Sequence, residues 1–264
     1  MGKKGNRQNT IITLLQERNG IAVKELSEVL HVSEMTVRRD LHELEQRQVV
    51  QLFHGGVILD PEHQKPQGLV DKTNPRYQLT AEDVKNSEGK ARIGKKAAEL
   101  IEEDDIIIID SGSTTIHLTR QIPENLPFTV LFWALNILEA LREKENCSLI
   151  FAGGYYHENS MMFESPEGVA LIGRNRANKG FFAAGGVSDR LGVTNSNPYA
   201  VEIKQASLAS SLQKILLVDS SKFGDIKPAY YAELTDFDTV ITDSGIPEEY
   251  TELIHKLGIE LLVV

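Results

Sequence analysis

The sequence predicts an α/β protein in two parts: a small N-terminal module of three helices and a β-hairpin, and a larger C-terminal domain on a doubly wound, mostly parallel sheet. Three observations predict this. Apolar residues recur at helical spacing three times near the start and then give way to a β-rich run broken by Gly55-Gly56. Ile106-Ile107-Ile108-Ile109 is an unbroken β-branched run, the mark of a strand buried on both faces of a parallel sheet. From there to the end, strand-like runs alternate with small-residue loops and helical patterns.

In the first module, Thr10-Ile11-Ile12-Thr13-Leu14-Leu15 reads as an amphipathic helix that ends near Asn19-Gly20. A second helix covers Val23 to Leu30, with Leu26, Val29 and Leu30 at helical spacing, and His31-Val32 is a tight connection into a third. Ser33 is a good N-cap for that third helix. At about 100° per residue, Val37, Leu41 and Leu44 fall on one side, while Met35, Thr36, Arg39 and His42 fall on or near the other. One face packs and the other is free to read double-stranded DNA. The plainer alternative is a solvated helix whose Arg38 and Arg39 pair with Asp40 and Glu43. With the β-rich run from Val49 to Leu59 as a wing, the module is a winged helix-turn-helix.

Residues 7 to 59 resemble the N-terminal module of the DeoR family of bacterial transcription regulators. The family's hallmark, Val-Ser-x-x-Thr-(Ile/Val)-Arg-Arg-Asp-Leu, matches Val32 to Leu41, and its His-Gly-Gly wing matches His54-Gly55-Gly56. The resemblance implies operator contacts from Ser33, Met35, Thr36, Arg38, Arg39, His42 and His54. Two positions depart from the family: Gln48 stands where a glycine is usual and Leu52 where the wing carries an arginine. Recognition therefore rests on the helix.

The formal net charge of −10 argues at first against a nucleic-acid partner, but its distribution reverses the argument. Residues 1–59 hold eight basic side chains against seven acidic ones, a net of about +1, which leaves about −11 on the remainder. Phosphate attraction by such a head is modest and salt-sensitive, so it is expected to work in pairs, within a homo-oligomer. The single cysteine, Cys147, excludes an internal disulfide framework, suits a reducing cytoplasm and reads as a buried thiol. No Cys/His spacing points to a metal. No apolar run approaches the roughly 20 residues of a membrane span, and Met1 to Gln8 is not a signal peptide, so a cytoplasmic protein is expected.

Residues 60–80, with Pro61, Pro66, Gly68 and Pro75 among polar residues, read as a linker, and 81–264 as the second domain. A helix with Ile93, Ala97, Leu100 and Ile101 on its apolar face leads to the Ile106 strand, the loop Asp110 to Thr115, and a helix through Leu118. Phe128 to Trp133 precedes Asn136 and a helix from Ile137 to Leu141; Ser148 to Phe151 precedes Gly153-Gly154; Gly180 to Ala184 precedes Gly185-Gly186. Lys214 to Val218 then runs into Asp219 to Gly224, Thr239 to Thr242 into Asp243-Ser244-Gly245, and Glu260 to Val264 is the last strand. In such sheets ligands sit outside the carboxyl ends of the strands, where these polar loops lie.

The loop after Ile109 is a candidate anion cradle. Gly112 exposes backbone amides, and Ser113, Thr114 and Thr115 stand where a helix begins; a plain helix cap is the competing reading. It is neither a P-loop nor a dinucleotide fingerprint. From about Asn86 onward the chain resembles the DeoR-family effector domain, which is similar in fold to ribose-5-phosphate isomerase. The matching elements are Asp110 to Thr114, Leu135-Asn136, Gly153-Gly154, Gly185-Gly186 and Asp219 to Gly224. The resemblance implies a phosphorylated sugar as effector, its phosphate on residues 112 to 115 and its hydroxyls met by groups such as Asn136 and Lys222. Asp110, Gly153, Gly154, Gly185 and Gly186 join that candidate set. Lys90 reads as a surface helix lysine and Glu202 as a helix cap or surface charge, while His157 and Glu158 are unassigned. No cofactor is expected beyond the effector.

The rival function is a sugar-phosphate isomerase with an accessory N-terminal domain. That chemistry needs a carboxylate base in a cleft, and the segment after Phe181-Phe182 carries no acid until Asp189. The sequence therefore reads as a repressor of a sugar or nucleoside catabolic operon rather than an enzyme. Within the family, Val49 to Leu52 and the stretch from Pro127 to Leu141 resemble the branch governing deoxyribonucleoside catabolism. This implies deoxyribose 5-phosphate, with other pentose or hexose phosphates close behind.

Overall fold

The computed structural model describes residues 3–17, 21–47, 49–53, 56–59 and 77–264. The chain divides into two compact units, Met1–Asp71 and Lys72–Val264.

The first unit runs α1 (Lys3–Glu17), β1 (Ile21–Ala22), α2 (Val23–Val29), α3 (Glu34–Gln46), β2 (Val50–Phe53) and β3 (Gly56–Leu59). The helical spacing of apolar residues brings Ile11, Leu26, Val37, Leu41, Leu44 and Val57 into one fully buried cluster. The wing is a small antiparallel sheet in the order β1-β3-β2. Leu52, at the position of the family's wing arginine, packs against the apolar cluster.

The second unit opens with α4 (Leu79–Val84), whose first two residues read from sequence as the end of the linker, and α5 (Ser87–Ala98). β4 (Ile106–Ile109), α6 (Thr115–Gln121), β5 (Phe128–Phe132), α7 (Leu135–Leu141) and β6 (Cys147–Phe151) follow, then a two-stranded antiparallel pair, β7 (Tyr155–His157) and β8 (Met162–Glu164). After α8 (Pro166–Arg174) come β9 (Ala177–Ala183), β10 (Gly186–Ser188), β11 (Gly192–Asn195), α9 (Val201–Ser210), β12 (Ser211–Leu217) and β13 (Ala229–Ala232). β14 (Thr239–Thr242), α10 (Glu248–Lys256) and β15 (Glu260–Val263) complete the chain.

Seven strands form one sheet in the order β15-β14-β12-β9-β4-β5-β6, with every neighbouring pair parallel. Along β4, Ile107 and Ile109 join one apolar layer with α5, α6 and α7, while Ile108 joins the opposite layer with α8 and α9. Alternation of side chains across the strand produces a three-layer sandwich. Close approach of α5 to α6 depends on Gly94, where a Cβ would lie 2.5 Å from the backbone of His117.

The strand order fixes the site. The chain leaves β4 toward β5 and β6, then returns to the other flank of β4 as β9 and continues outward through β12. The direction of winding reverses between β4 and β9, and a crevice opens above their carboxyl ends. An antiparallel sheet in the order β10-β11-β13, not foreseen from the sequence, follows directly from the end of β9.

Candidate functional site

On the first unit, the turn between α2 and α3 places His31 in the left-handed region (φ 51°). Ser33 then caps α3, its hydroxyl accepting from the Thr36 N–H at 3.3 Å and lying 2.9 Å from the Thr36 hydroxyl. Met35, Arg38, Arg39 and His42, spaced i, i+3, i+4 and i+7, are all exposed, Met35 to 81%. The alternative pairing of the arginines with Asp40 and Glu43 is not what forms. Asp40 is buried and takes Arg7 of α1 at 2.5 Å, and Gln8 donates to Glu43 at 3.1 Å. Arg38 lies 3.6 Å from Glu34 in an exposed pair, and Arg39 has no ion-pair partner among the described residues. His42 sits 3.2 Å from Glu45. Thus α1 holds Asp40 and Glu43 of α3 from behind, and the arginines of α3 face solvent. His54 lies outside the described residues.

On the second unit, a cavity of about 230 Å³ opens at the winding reversal. The loop after β4 lines it with Ser111, Gly112 and Ser113, and the end of β9 with Ala183, Ala184 and Gly185. Asn195 and Ser196 come from the end of β11, and Ser221, Lys222, Asp225 and Lys227 from the loop after β12. Tyr77, Glu82 and Lys85 complete the wall. Gly112 is required by packing, since a Cβ there would lie 2.5 Å from that of Ala183.

The lysines of this cavity are matched by carboxylates. Glu82 accepts from Lys85 at 2.6 Å and from Lys222 at 3.1 Å, and Asp225 accepts from Lys227 at 3.1 Å. Burial pushes Glu82 upward, but the hydrogen bonds and charge of Lys85 and Lys222 outweigh it and hold its carboxyl below the usual range. Burial raises the Tyr77 hydroxyl far above its ordinary value, with Glu82 adding to the effect.

Of the effector residues read from sequence, Gly112, Ser113, Gly185 and Lys222 line this cavity. The others do not line it. Asp110 is fully buried beneath it and pairs with Lys204 of α9, which also donates to the Ala183 carbonyl at 2.8 Å. Its carboxylate further accepts from the Ala183 N–H at 2.9 Å, so it clamps β4 to β9 instead of facing solvent. Burial pushes the Asp110 carboxyl up and the Lys204 ammonium down, each opposed by the partner's charge. Thr115 turns its hydroxyl back onto the Gly112 carbonyl at 3.1 Å, and Thr114 is buried and does not line the cavity. Asn136 sits in the first turn of α7, its amide oxygen buried. Gly153 and Gly154 line a separate, more open cavity with Ser165, Gly168 and Leu171. Gly186 lies against the backbone of Asp225, where a Cβ would come within 2.3 Å.

Lys90 is not a surface residue: it is fully buried, donates to the Glu82 carbonyl and lies 3.9 Å from Asp219. Its place on the α5 face that carries Ile93 and Ala97 turns it inward. Asp219 and Asp243 hold the loop after β12 from below, Asp219 through Ser221 and Asp243 through the Ser220 N–H at 2.7 Å. His157 is buried, stacked on Tyr199 at 3.6 Å and bonded to Glu164 at 3.1 Å. Glu158 and Glu202 are exposed. Cys147 is half-buried on β6, and burial pushes its thiol up to about 11. Among the described residues no helix is long and apolar enough to cross a membrane, and no group of three His, Cys, Asp or Glu is placed to hold a metal ion.

A helix-turn-helix with a solvent-facing basic helix, joined in one chain to a domain with a crevice at a switch point, defines a DNA-binding transcription regulator with a sensor domain. The matches to known proteins agree: residues 7–63 match the DeoR-like helix-turn-helix domain and residues 85–244 the DeoR C terminal sensor domain. The chain belongs to the DeoR family. It is 30% identical over 259 residues to the deoxyribose operon repressor of Escherichia coli (strain K12), covering 97% of this chain and 98% of that one. It is 31% identical over 257 residues to the HTH-type transcriptional regulator GolR of Listeria innocua, covering 97% of each. Among solved structures, ribose 5-phosphate isomerase A from Methanocaldococcus jannaschii superposes with a TM-score of 0.40 at 15% identity, covering 52% of this chain and 55% of that one.

Proposed function

We propose that this protein is a cytoplasmic, homo-oligomeric repressor of a sugar or nucleoside catabolic operon. Its α3 docks in the major groove of operator DNA, and a phosphorylated sugar in the sensor domain controls that docking. The observation that carries the ligand half is the cavity at the reversal between β4 and β9, where Lys85, Lys222 and Lys227 stand with Ser111, Ser113, Ser196 and Ser221. Three ammonium groups suit a phosphate dianion, and the serines and Asn195 suit a small polyhydroxylated body. Deoxyribose 5-phosphate is the first candidate, in keeping with the 30% identical relative named for the deoxyribose operon.

Binding without turnover is supported by the state of the acids. A base for isomerisation must be free to reach a substrate C–H, whereas Asp110 is buried and committed to Lys204 and Asp225 is held by Lys227. The test is a gel shift on DNA from upstream of the protein's own gene and its neighbours, at stated salt, with a panel of sugar phosphates and their unphosphorylated parents. A retarded band altered by one sugar phosphate and not by its parent is the expected result. A band indifferent to the whole panel overturns the phosphate reading, and conversion of a sugar phosphate by the protein alone overturns the non-enzymatic one. A coupling of about 1–3 kcal/mol between the two sites is the expected scale.

A further inference from the structure

Two side chains lining the cavity, Glu82 and Asp225, have the wrong charge for an anion site, and Asp225 meets only Lys227. Glu82 points its carboxylate at two of the three lysines, with Lys85 at 2.6 Å and Lys222 at 3.1 Å, and its side chain is only 20% exposed. A phosphate bound by those lysines would lie against this carboxylate. Like charges in contact repel, so the phosphate and the carboxylate compete for the two lysines.

Glu82 is also placed to report what happens there. It belongs to α4, the first helix after residues 60–76. That helix is seated by the buried Leu79 side chain, by the Leu79 N–H donating to the Asn159 carbonyl at 2.8 Å, by Lys90 donating to the Glu82 carbonyl, and by Asp83, which meets His117 at 3.0 Å and Arg120 at 3.8 Å. It ends in a backbone break, with Lys85 extended and Asn86 left-handed (φ 48°), before α5 begins. The Glu82 side chain supplies the links from α4 to Lys222 and, within its own turn, to Lys85.

We propose that Glu82 is an internal stand-in for the ligand's phosphate, so that an entering phosphate takes Lys85 and Lys222 from it and the loss of that tie is transmitted through α4 toward the DNA-binding head. The proposal rests on the reading of the cavity as a phosphate site and adds a mechanism of readout to it. It also accounts for selectivity. A dianion offers more charge and more acceptors than one carboxylate and can displace it, whereas an unphosphorylated sugar has nothing to exchange for the two ion pairs.

The test is calorimetric titration of the full chain with inorganic phosphate, deoxyribose 5-phosphate and deoxyribose, for wild type, Glu82→Gln, Glu82→Asp and Lys222→Ala. Thermal melts establish that each variant is folded. Removing the competing charge is expected to tighten phosphate and sugar-phosphate binding about tenfold in Glu82→Gln, while Glu82→Asp stays near wild type. Hydrogen exchange across residues 79–85 is expected to rise on phosphate binding in wild type and to be already raised in Glu82→Gln. If Lys222→Ala weakens phosphate binding but Glu82→Gln leaves it unchanged, the competition is overturned and the phosphate site stands. If Glu82→Gln weakens deoxyribose 5-phosphate without touching inorganic phosphate, Glu82 holds a sugar hydroxyl and the competition is again overturned. If Lys222→Ala leaves phosphate binding unchanged, the site reading falls and takes the proposal with it.

Discussion

The recognition helix and the sensor crevice both present cations, and they keep them in opposite states. On α3, Arg38 is tied only by an exposed 3.6 Å contact, and Arg39 stands in water without an ion-pair partner among the described residues. In the crevice Lys85 and Lys222 share Glu82, and Lys227 holds Asp225; deeper still Lys204 is committed to Asp110. The physical reason is solvation. An exposed guanidinium keeps its water until a phosphate backbone arrives, and release of counterions then drives binding. Lys222, whose side chain is only 14% exposed, has less water to fall back on and takes Glu82 as an internal anion, whereas Lys85 is as open to water as Arg38. On the proposed reading, the first surface takes any duplex by charge, while the second admits only a ligand that can displace a carboxylate.

The largest test of this contrast is Lys204→Ala. It leaves Asp110 buried without its cation, and unfolding by denaturant is expected to show a loss of about 3–5 kcal/mol. A variant replacing both residues with apolar ones of similar volume should recover much of that loss, and failure to recover it would mean that the pair does more than neutralise itself. Next in size, Lys222→Ala is expected to weaken sugar-phosphate binding by about 1.5–3 kcal/mol, the range for hydrogen bonds to charged groups, with operator affinity retained. Arg39→Ala should mirror it. Operator binding should fall by about 1–3 kcal/mol with a shallower salt slope, while stability stays within about 0.5 kcal/mol. Should Arg39→Ala instead destabilise the fold, the helix face is not the free surface described here. Ser33→Ala removes the cap of α3 and is expected to cost about 1 kcal/mol of stability in a denaturant melt.

The smallest effect is one of pH. Burial holds His117 below its ordinary value, opposed by Asp83 at 3.0 Å, with Arg120 pressing it lower again. Its folded form therefore binds a proton less readily than its unfolded form. Stability is fully present above the unfolded value and falls as pH drops below it toward the folded one. The wild type should lose more stability than His117→Gln between about pH 7.5 and about pH 5.5, and equal losses would remove His117 as the cause.

Much of the head was legible in sequence because its signals are local. Val37, Leu41 and Leu44 are fully buried and Ser33 caps the helix, each following from spacing of a few residues. The sheet was legible for a related reason: a run such as Ile106 to Ile109 has few alternatives to a doubly covered strand. The crevice was legible in place but not in roles. Residue type cannot tell which way a polar group turns at a strand end, so Asp110 read as a ligand contact, whereas its Oδ2 is held beneath the cavity by Lys204 and the Ala183 N–H. Its partner Lys204 lies 94 residues away on a helix that gives no polar signal of its own. Lys90 misled for the complementary reason, because a lone lysine on a helix carries no mark of burial. Glu82 and Lys85 stood in a stretch taken as the start of an ordinary polar helix, and only the fold brings them to Lys222 and Lys227.

The central pairing of the sheet also has a meaning in time. β4 is flanked on one side by β5, the next strand made, but on the other by β9, whose register joins Ile109 to Phe181, and the clamp on Asp110 waits for a residue made later still. Contacts of such long sequence separation form slowly and, during synthesis, cannot form until the later partner has left the ribosome. The head, whose contacts are short-range and lie at the start of the chain, can be complete well before then. A ribosome translating this message therefore carries, for part of every round, a chain whose helix-turn-helix can be folded while the central sheet still lacks β9 and the clamp from α9. Pausing between the codons for β4 and α9 would lengthen that interval.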